Sequence, residues 1–205
     1  MVTPGREDCA TELERIHLPA DLDGQRVLDV GYSDGFFGFE SERRGADVLG
    51  IDDFSSSPFN AGHNGFAIAK GILDAKAQWR NESIYDLDPG HHGHFDLILF
   101  LNTLYHLRHP LLGLEKIADV LRPGGTMILK TYFHQDIRFQ RWGLDVFKRP
   151  VMRFFENDEL NGDASNWWAP NRLCLEAMLR TSGFDNLTEL GAYADRIYYR
   201  CRRVE

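Results

Sequence analysis

Residues 95–101 read Phe-Asp-Leu-Ile-Leu-Phe-Leu, an apolar run broken only by Asp96. A strand that is apolar on both of its faces belongs in the middle of a parallel sheet with helices packed above and below. That single segment predicts an α/β chain, and the rest of the sequence agrees with it. Arg26–Val30 is a buried-strand pattern ending at Gly31, and Phe36–Arg44 follows as a helix stopped by Gly45. Asp47–Asp52 reads as a second strand, and a helical pattern runs from about Gly65 to Lys76 after the Ser/Pro/Asn-rich stretch 55–64. Gln78–Ile84 is a weaker third strand. Beyond the central run, Pro110 opens a helix with Leu111, Leu114, Ile117, Ala118 and Leu121 on one face, stopped by Pro123-Gly124-Gly125.

Thr126–Thr131 is predicted as strand five, Asn171–Ser182 as a helix, and Phe184–Leu190 and Arg196–Arg202 as two closing strands with no helix between them. The stretch 132–170 breaks this rhythm. It fits no sheet-forming unit, is too long for an ordinary connection, and is expected to be a lid or acceptor-binding insert.

A length of 205 residues with 43% hydrophobic side chains is enough for one sizeable core, so residues 1–205 are expected to form one domain. Lys and Arg total 23 against 31 Asp and Glu, a net charge of −8, which lacks the basic footprint of a nucleic-acid binder. The charge is uneven: residues 1–100 hold 8 basic and 18 acidic groups (−10), residues 101–205 hold 15 and 13 (+2). Cys9, Cys174 and Cys201 form no CxxC pair, so neither a disulfide framework nor a zinc knuckle is predicted. No apolar run approaches the ~20 residues that span a bilayer, and the N-terminus has no secretory pattern. A cytoplasmic protein without membrane contact is expected, with no feature that specifies an oligomer.

The strongest local motif is VLDVGYSDGFF, which places Asp29, Gly31, Ser33 and Gly35 at a strand-to-helix turn. Glycine there lets backbone approach a ligand, and the helix start offers unpaired N–H groups. The dinucleotide fingerprint requires a third glycine where Phe36 stands. Asp29 would also repel a pyrophosphate, whereas it suits a ligand with an ammonium group. Both points weigh against a nicotinamide-dependent oxidoreductase. Asp52, at the end of the second strand, is placed to accept hydrogen bonds from ribose hydroxyls; Asp53 reads as a solvated neighbour.

The order LDVGYSDG, GID, FDLILFLNTLYHL and LRPGGTMIL resembles the class I S-adenosylmethionine-dependent methyltransferases. The resemblance implies a Rossmann-like, mostly parallel seven-stranded sheet with an antiparallel C-terminal strand and helices on both faces. It implies S-adenosylmethionine as cofactor, with Asp29, Gly31, Ser33 and Gly35 at its methionine end, Asp52 on the ribose, Ser83 and Ile84 beside the adenine, and Leu101 and Asn102 flanking the reacting methyl. LYHLRHPL and NWWAPNRLCLEAMLRTSGF are similar to the branch that contains the tRNA wobble-uridine carboxymethyl- and methyltransferases and their small bacterial relatives. Those enzymes carry a long N-terminal extension, against about 25 residues before the first strand here, which argues against tRNA and carboxymethyl transfer.

Tyr105 and His106 follow the fourth strand at the sheet's carboxyl edge, where open α/β folds bind ligands. Methyl transfer requires alignment and, for a hydroxyl acceptor, removal of a proton, so His106 is the expected base with Tyr105 assisting. A histidine packed at a strand end and bonded to backbone is the plainer alternative, and His109 reads as a helix-entry residue. The spacing Asn102 to Tyr105 matches that of amino-group methyltransferases acting on adenine but lacks their two prolines. His91, His92 and His94 lie in a Gly-rich turn without a carboxylate set at ligand spacing, so no metal is predicted.

Residues 130–153 hold six basic groups against Asp136 and Asp145, a local +4 with aromatics interleaved. They either cover an anionic or aromatic acceptor or form an amphipathic helix with solvated bases. Tyr132, Trp167 and Trp168 are the expected acceptor contacts. The reading is a methyltransferase for a hydroxyl-bearing small molecule. Its alternatives are a tRNA-uridine methyltransferase and a non-catalytic S-adenosylmethionine-binding protein.

Overall fold

The computed structural model describes residues 8–53, 64–134 and 149–204. In chain order its elements are α1 (Cys9–Ile16), β1 (Arg26–Val30), α2 (Phe36–Arg43), β2 (Asp47–Asp52), α3 (Asn64–Leu73), β3 (Gln78–Asn81), α4 (Pro89–His92), β4 (Phe95–Leu101), α5 (Pro110–Val120), β5 (Leu121–Tyr132), β6 (Met152–Phe154), β7 (Trp168–Pro170), α6 (Arg172–Thr181), β8 (Phe184–Tyr193) and β9 (Arg196–Arg203). Short 3-10 turns follow β3 at Ile84–Asp86 and β4 at Leu104–His106. Seven strands form one sheet in the order β3-β2-β1-β4-β5-β9-β8. The strands from β3 to β5 run parallel, and β9 is antiparallel to both its neighbours. This is the class I methyltransferase layout that the sequence resemblance implies.

The central run behaves as its composition requires. Leu97, Leu99 and Leu101 enter one apolar cluster with Ile16, Leu22 and Val27, while Ile98 and Phe100 enter the other with Leu114, Ile117 and Leu179. Each fully buried side chain of this size contributes about 1.5–3 kcal/mol relative to exposure. Both faces of β4 are therefore locked, and its carboxyl end is a rigid platform for the turn through Tyr105 and His106.

Helices α1 and α4 have no counterpart in the sequence reading, and three further elements depart from it. The third strand stops at Asn81 because Ser83 caps a 3-10 turn, its Oγ accepting from the Tyr85 N–H at 3.4 Å. The fifth strand starts at Leu121, where the chain turns extended ahead of Pro123, and it pairs with Phe95 across a register shift. The stretch 132–170 does contain a sheet-forming unit, the antiparallel ribbon β6–β7, with Met152 opposite Pro170 and Phe154 opposite Trp168. Residues 135–148, which hold most of the basic and aromatic stretch, lie outside the described residues. Asn171 secures the ribbon: its Oδ1 accepts from Val151 N and Cys174 N, and its Nδ2 donates to the Arg149 carbonyl.

Helix α1, capped by Asp8, packs on β8 and β9. Its Glu12 is buried and lies 2.7 Å from Lys130 Nζ, with Tyr198 OH donating to it at 2.9 Å and Arg15 at 2.8 Å. Among the described residues no helix is long and apolar enough to cross a membrane.

Candidate active site

The turn after β1 is shaped by sterics. Gly31 (φ 75°), Ser33 (φ 49°) and Gly35 (φ 84°) all take left-handed backbone. A side chain at Gly31 would collide with the Thr103 hydroxyl, and one at Gly35 would meet the Phe66 ring at 2.5 Å. Ser33 has no such excuse for its conformation, which costs on the order of 1–3 kcal/mol. Its N–H donates to Asp52 Oδ2 at 3.1 Å, tying the turn to the end of β2. Thr103, which sequence reasoning did not single out, places its hydroxyl 3.0 Å from the Val30 carbonyl and 3.1 Å from that of Leu101. It thereby joins the carboxyl ends of β1 and β4. The turn at Asn102 is itself left-handed (φ 58°), with its N–H bonded to the Lys130 carbonyl.

Asp29 is buried beneath the first turn of α2, and its Oδ2 has no hydrogen-bond partner among the described residues. Burial and then the Asp52 charge push its carboxyl up to about 7, opposed by the Gly38 N–H. Ile84 and Leu101 are buried in the two core clusters, so only their backbone is left to face a ligand. Nearby, His92 Nε2 lies 2.9 Å from Glu82 Oε1, and Glu82 N–H donates to the Asp52 carbonyl. His91 meets Arg80 at 3.0 Å. Among the described residues no cluster of His, Cys, Asp or Glu could hold a metal.

At the end of β4 the structure brings Tyr105, His106 and Tyr132 together. Tyr105 lies between the His106 ring and the Tyr132 ring, each centroid 4.4 Å away. The Arg196 guanidinium sits 3.1 Å over Tyr132 and 5.4 Å from Tyr105. Arg196 starts β9 opposite Tyr132, and it too escaped sequence reasoning. Ala169 closes this cluster from the ribbon. His106 Nδ1 lies 2.9 Å from the Ser165 carbonyl, which can only accept, so Nδ1 carries the proton and Nε2 keeps the lone pair. Burial holds the imidazole below its ordinary pKa, Arg196 acts in the same direction, and the Ser165 bond and the Asp163 charge oppose them. The balance favours the neutral ring.

The two tryptophans are engaged elsewhere. Trp167 carries the Arg108 guanidinium 3.6 Å over its ring and stacks on Phe154. Trp168 donates from Nε1 to the Leu107 carbonyl and lines a groove of about 410 Å³ with Met152, Cys174, Met178 and Leu111. Neither His106 nor Tyr132 lines that groove. The reason is strand alternation: Ala169 faces the tyrosines, so Trp168 faces away.

Residues 4–166 match the family described as Methyltransferase domain. The tRNA U34 carboxymethyltransferase of Trichlorobacter lovleyi is 38% identical over 112 residues, covering 54% of this chain and 33% of that protein. The ubiquinone biosynthesis O-methyltransferase of Marinobacter nauticus is 33% identical over 121 residues, covering 58% of this chain and 49% of that protein. The chain thus spans at most half the length of these two relatives. Among solved structures, the Burkholderia thailandensis 1,6-didemethyltoxoflavin-N1-methyltransferase, crystallised with bound 1,6-didemethyltoxoflavin and S-adenosylhomocysteine, superposes with a TM-score of 0.64 at 16% identity, over 97% of this chain and 82% of that one. The family match extends over most of the chain, and by it this protein belongs to the methyltransferase-domain family.

Proposed function

We propose that the chain transfers a methyl group from S-adenosylmethionine to a hydroxyl-bearing small molecule, with His106 as the base. The observation that carries this reading is the 2.9 Å contact from His106 Nδ1 to the Ser165 carbonyl, which leaves Nε2 as the nitrogen able to take a proton. Two features fit the cofactor. The left-handed turn presents the backbone of Gly31, Ser33 and Gly35 at the carboxyl end of β1, and Asp29 keeps a buried, unpartnered oxygen nearby. Gly31, Ser33 and Gly35 would hold the methionine end, Asp52 the ribose, the Ser83–Ile84 backbone the adenine, and Asn102 the region of the methyl. When bound, S-adenosylmethionine supplies a methyl group already activated by a sulfonium.

The chain's own task is then alignment and proton removal. Tyr105 buttresses the His106 ring, and the buried aromatic pair Tyr105–Tyr132 excludes water from that side. Nε2 accepts the hydroxyl proton of the acceptor, the O–H bond breaking as the N–H bond forms. The β6–β7 ribbon serves as the lid within one domain. A second reading, tRNA-uridine methylation, is favoured by the 38% identity to a tRNA U34 carboxymethyltransferase.

Labelled S-adenosylmethionine incubated with a fractionated cell extract tests both. Label in small molecules supports the first reading, and label in RNA replaces it with the second. Incorporation in neither, together with intact cofactor binding, overturns both. His106→Ala should bind S-adenosylhomocysteine normally and lose about 100-fold or more in rate; unchanged turnover removes His106 from the base role.

A further inference from the structure

The base is completed by the ribbon. The loop between β6 and β7 reads Asn161-Gly162-Asp163-Ala164-Ser165-Asn166, and it is internally fixed. Asp163 Oδ1 accepts from Ser165 N at 2.8 Å and from Ser165 Oγ at 2.7 Å, and Asn166 Nδ2 donates to the Leu160 carbonyl at 2.7 Å. Asn161 and Gly162 both take left-handed backbone, as such a tight turn requires. The loop is then tied to the 3-10 turn after β4 at two nearby residues: Trp167 N–H donates to the Tyr105 carbonyl at 2.9 Å, and the Ser165 carbonyl meets His106 Nδ1. Ser165 Oγ is also 3.1 Å from Nδ1.

We propose that Asp163 and Ser165 are positioning residues for His106, forming an Asp163–Ser165–His106 chain by which the ribbon, when seated, fixes the tautomer of the base. The inference rests on the reading of His106 as base. Ser165 Oγ–H donates to Asp163, so its oxygen is turned with a lone pair toward Nδ1–H, and the carbonyl of the same residue takes the same hydrogen. Nδ1 is thus confined to the donor role, and Nε2 is left as the acceptor. When Nε2 has taken the acceptor's proton, the imidazolium faces the Asp163 carboxylate through one hydroxyl, and the proton later leaves from Nε2 to solvent. The charged groups that bear on this ring are Asp163 from the ribbon and Arg196 from β9, with opposite signs. Proton removal is consequently coupled to the placement of a segment 59 residues away in sequence.

A turn of this kind also has a purely structural use, since Asp163 caps its own loop, and the test must separate the two. Asp163→Asn keeps the capping oxygen and removes the charge; Ser165→Ala keeps the carbonyl and removes the hydroxyl. Nitrogen-15 histidine spectra of the full chain, with the His106 signal assigned by His106→Gln, read tautomer and titration without any acceptor. In both variants the His106 titration should move to lower pH; in Ser165→Ala the retained carbonyl still accepts from Nδ1–H, so the tautomer should hold while the titration moves. Cofactor affinity, measured with S-adenosylhomocysteine, should stay within about twofold, which also certifies the fold. Label transfer into the accepting extract fraction should fall roughly tenfold, with KM for S-adenosylmethionine unchanged. If His106→Ala retains activity, the base reading fails. If His106→Ala is inactive while both ribbon variants leave the titration and the rate in place, the positioning role alone is overturned.

Discussion

The turn after β1 and the sheet face beneath α1 each bury one carboxylate, and they treat it in opposite ways. Glu12 has Lys130, Tyr198 and Arg15 around it; burial acts to raise its pKa, but those partners win and hold it below the ordinary range. Asp29 has an unpartnered oxygen and a like charge nearby, and its pKa rises to about 7. A buried charge with three partners holds a helix in place. A buried carboxylate left with one N–H donor and a like charge beside it is a standing cost, and such costs gather where a ligand is to be met. The paired acid therefore belongs to the framework, and the strained one fits the proposed cofactor site.

The largest expected effect tests the framework half of that contrast. Lys130→Met leaves Glu12 buried without its closest cation and should destabilise the fold by about 3–5 kcal/mol. Combining it with Glu12→Gln should recover most of the loss, because the uncompensated charge is then gone. Denaturant unfolding of the two single variants and the double variant measures this. Additive losses would mean that the residues act separately.

The same contrast governs what could be read from the sequence. The β1 turn and β4 are local: an apolar run, a glycine turn and a following helix lie contiguous in the chain, and all were legible. Asp52 was legible for the same reason, since it ends a strand. Helix α1 was not, because its buried Glu12 is a polar residue satisfied by Tyr198, 186 positions away. The ribbon escaped notice because its strands are three residues each and held by Asn171 rather than by periodicity. His106 could be singled out, since it sits just past a strong strand; Ser165, Asp163 and Arg196 could not, since polar loop residues come to face it only when the chain folds. The tryptophans were noticed for their size, but which way each points depends on strand alternation in an element the pattern did not show.

On the site half, Asp52→Ala should weaken S-adenosylhomocysteine binding by roughly 1.5–3 kcal/mol, the worth of a charge-assisted hydrogen bond. Part of that loss would be indirect, since the Ser33 N–H would lose its acceptor and the strained turn its tie to β2. Calorimetry measures it, and an unchanged dissociation constant refutes the ribose assignment. Asp29→Asn acts in the other direction on stability. Because the folded pKa is raised from 3.8 to about 7, ionised Asp29 burdens the folded state. The burden is absent below pH 4, grows as pH rises and is complete above pH 7. The asparagine variant should therefore gain stability over wild type by up to about 1.4 kcal/mol per pH unit in that window, while binding cofactor less well. A loss of stability at pH 8, like that of Lys130→Met, would erase the distinction between the two buried acids.

The smallest effect concerns the cation beside Tyr105 and Tyr132. Arg196 lies over Tyr132 and is ion-paired at 3.0 Å with Asp195, which is itself half exposed. Its charge works against protonation of His106, and it also lowers the pKa of Tyr132, a hydroxyl raised chiefly by burial. Removing that charge with Arg196→Gln should therefore raise both groups: His106 titrates at higher pH, and Tyr132 moves further from ionisation. Asp163→Asn moves His106 the opposite way, so the two variants bracket the wild-type value. The kinetic consequence is set by the sign. His106 must be neutral to accept a proton, so the acidic limb of the rate profile should shift to higher pH in Arg196→Gln and to lower pH in Asp163→Asn. At saturating pH the asparagine variant should be the slower one, because the imidazolium formed in the reaction has lost its distant carboxylate. If both substitutions move the limb in the same direction, His106 is responding to loosened packing rather than to charge, and the acceptor side is held together as the α1 face is, by its framework.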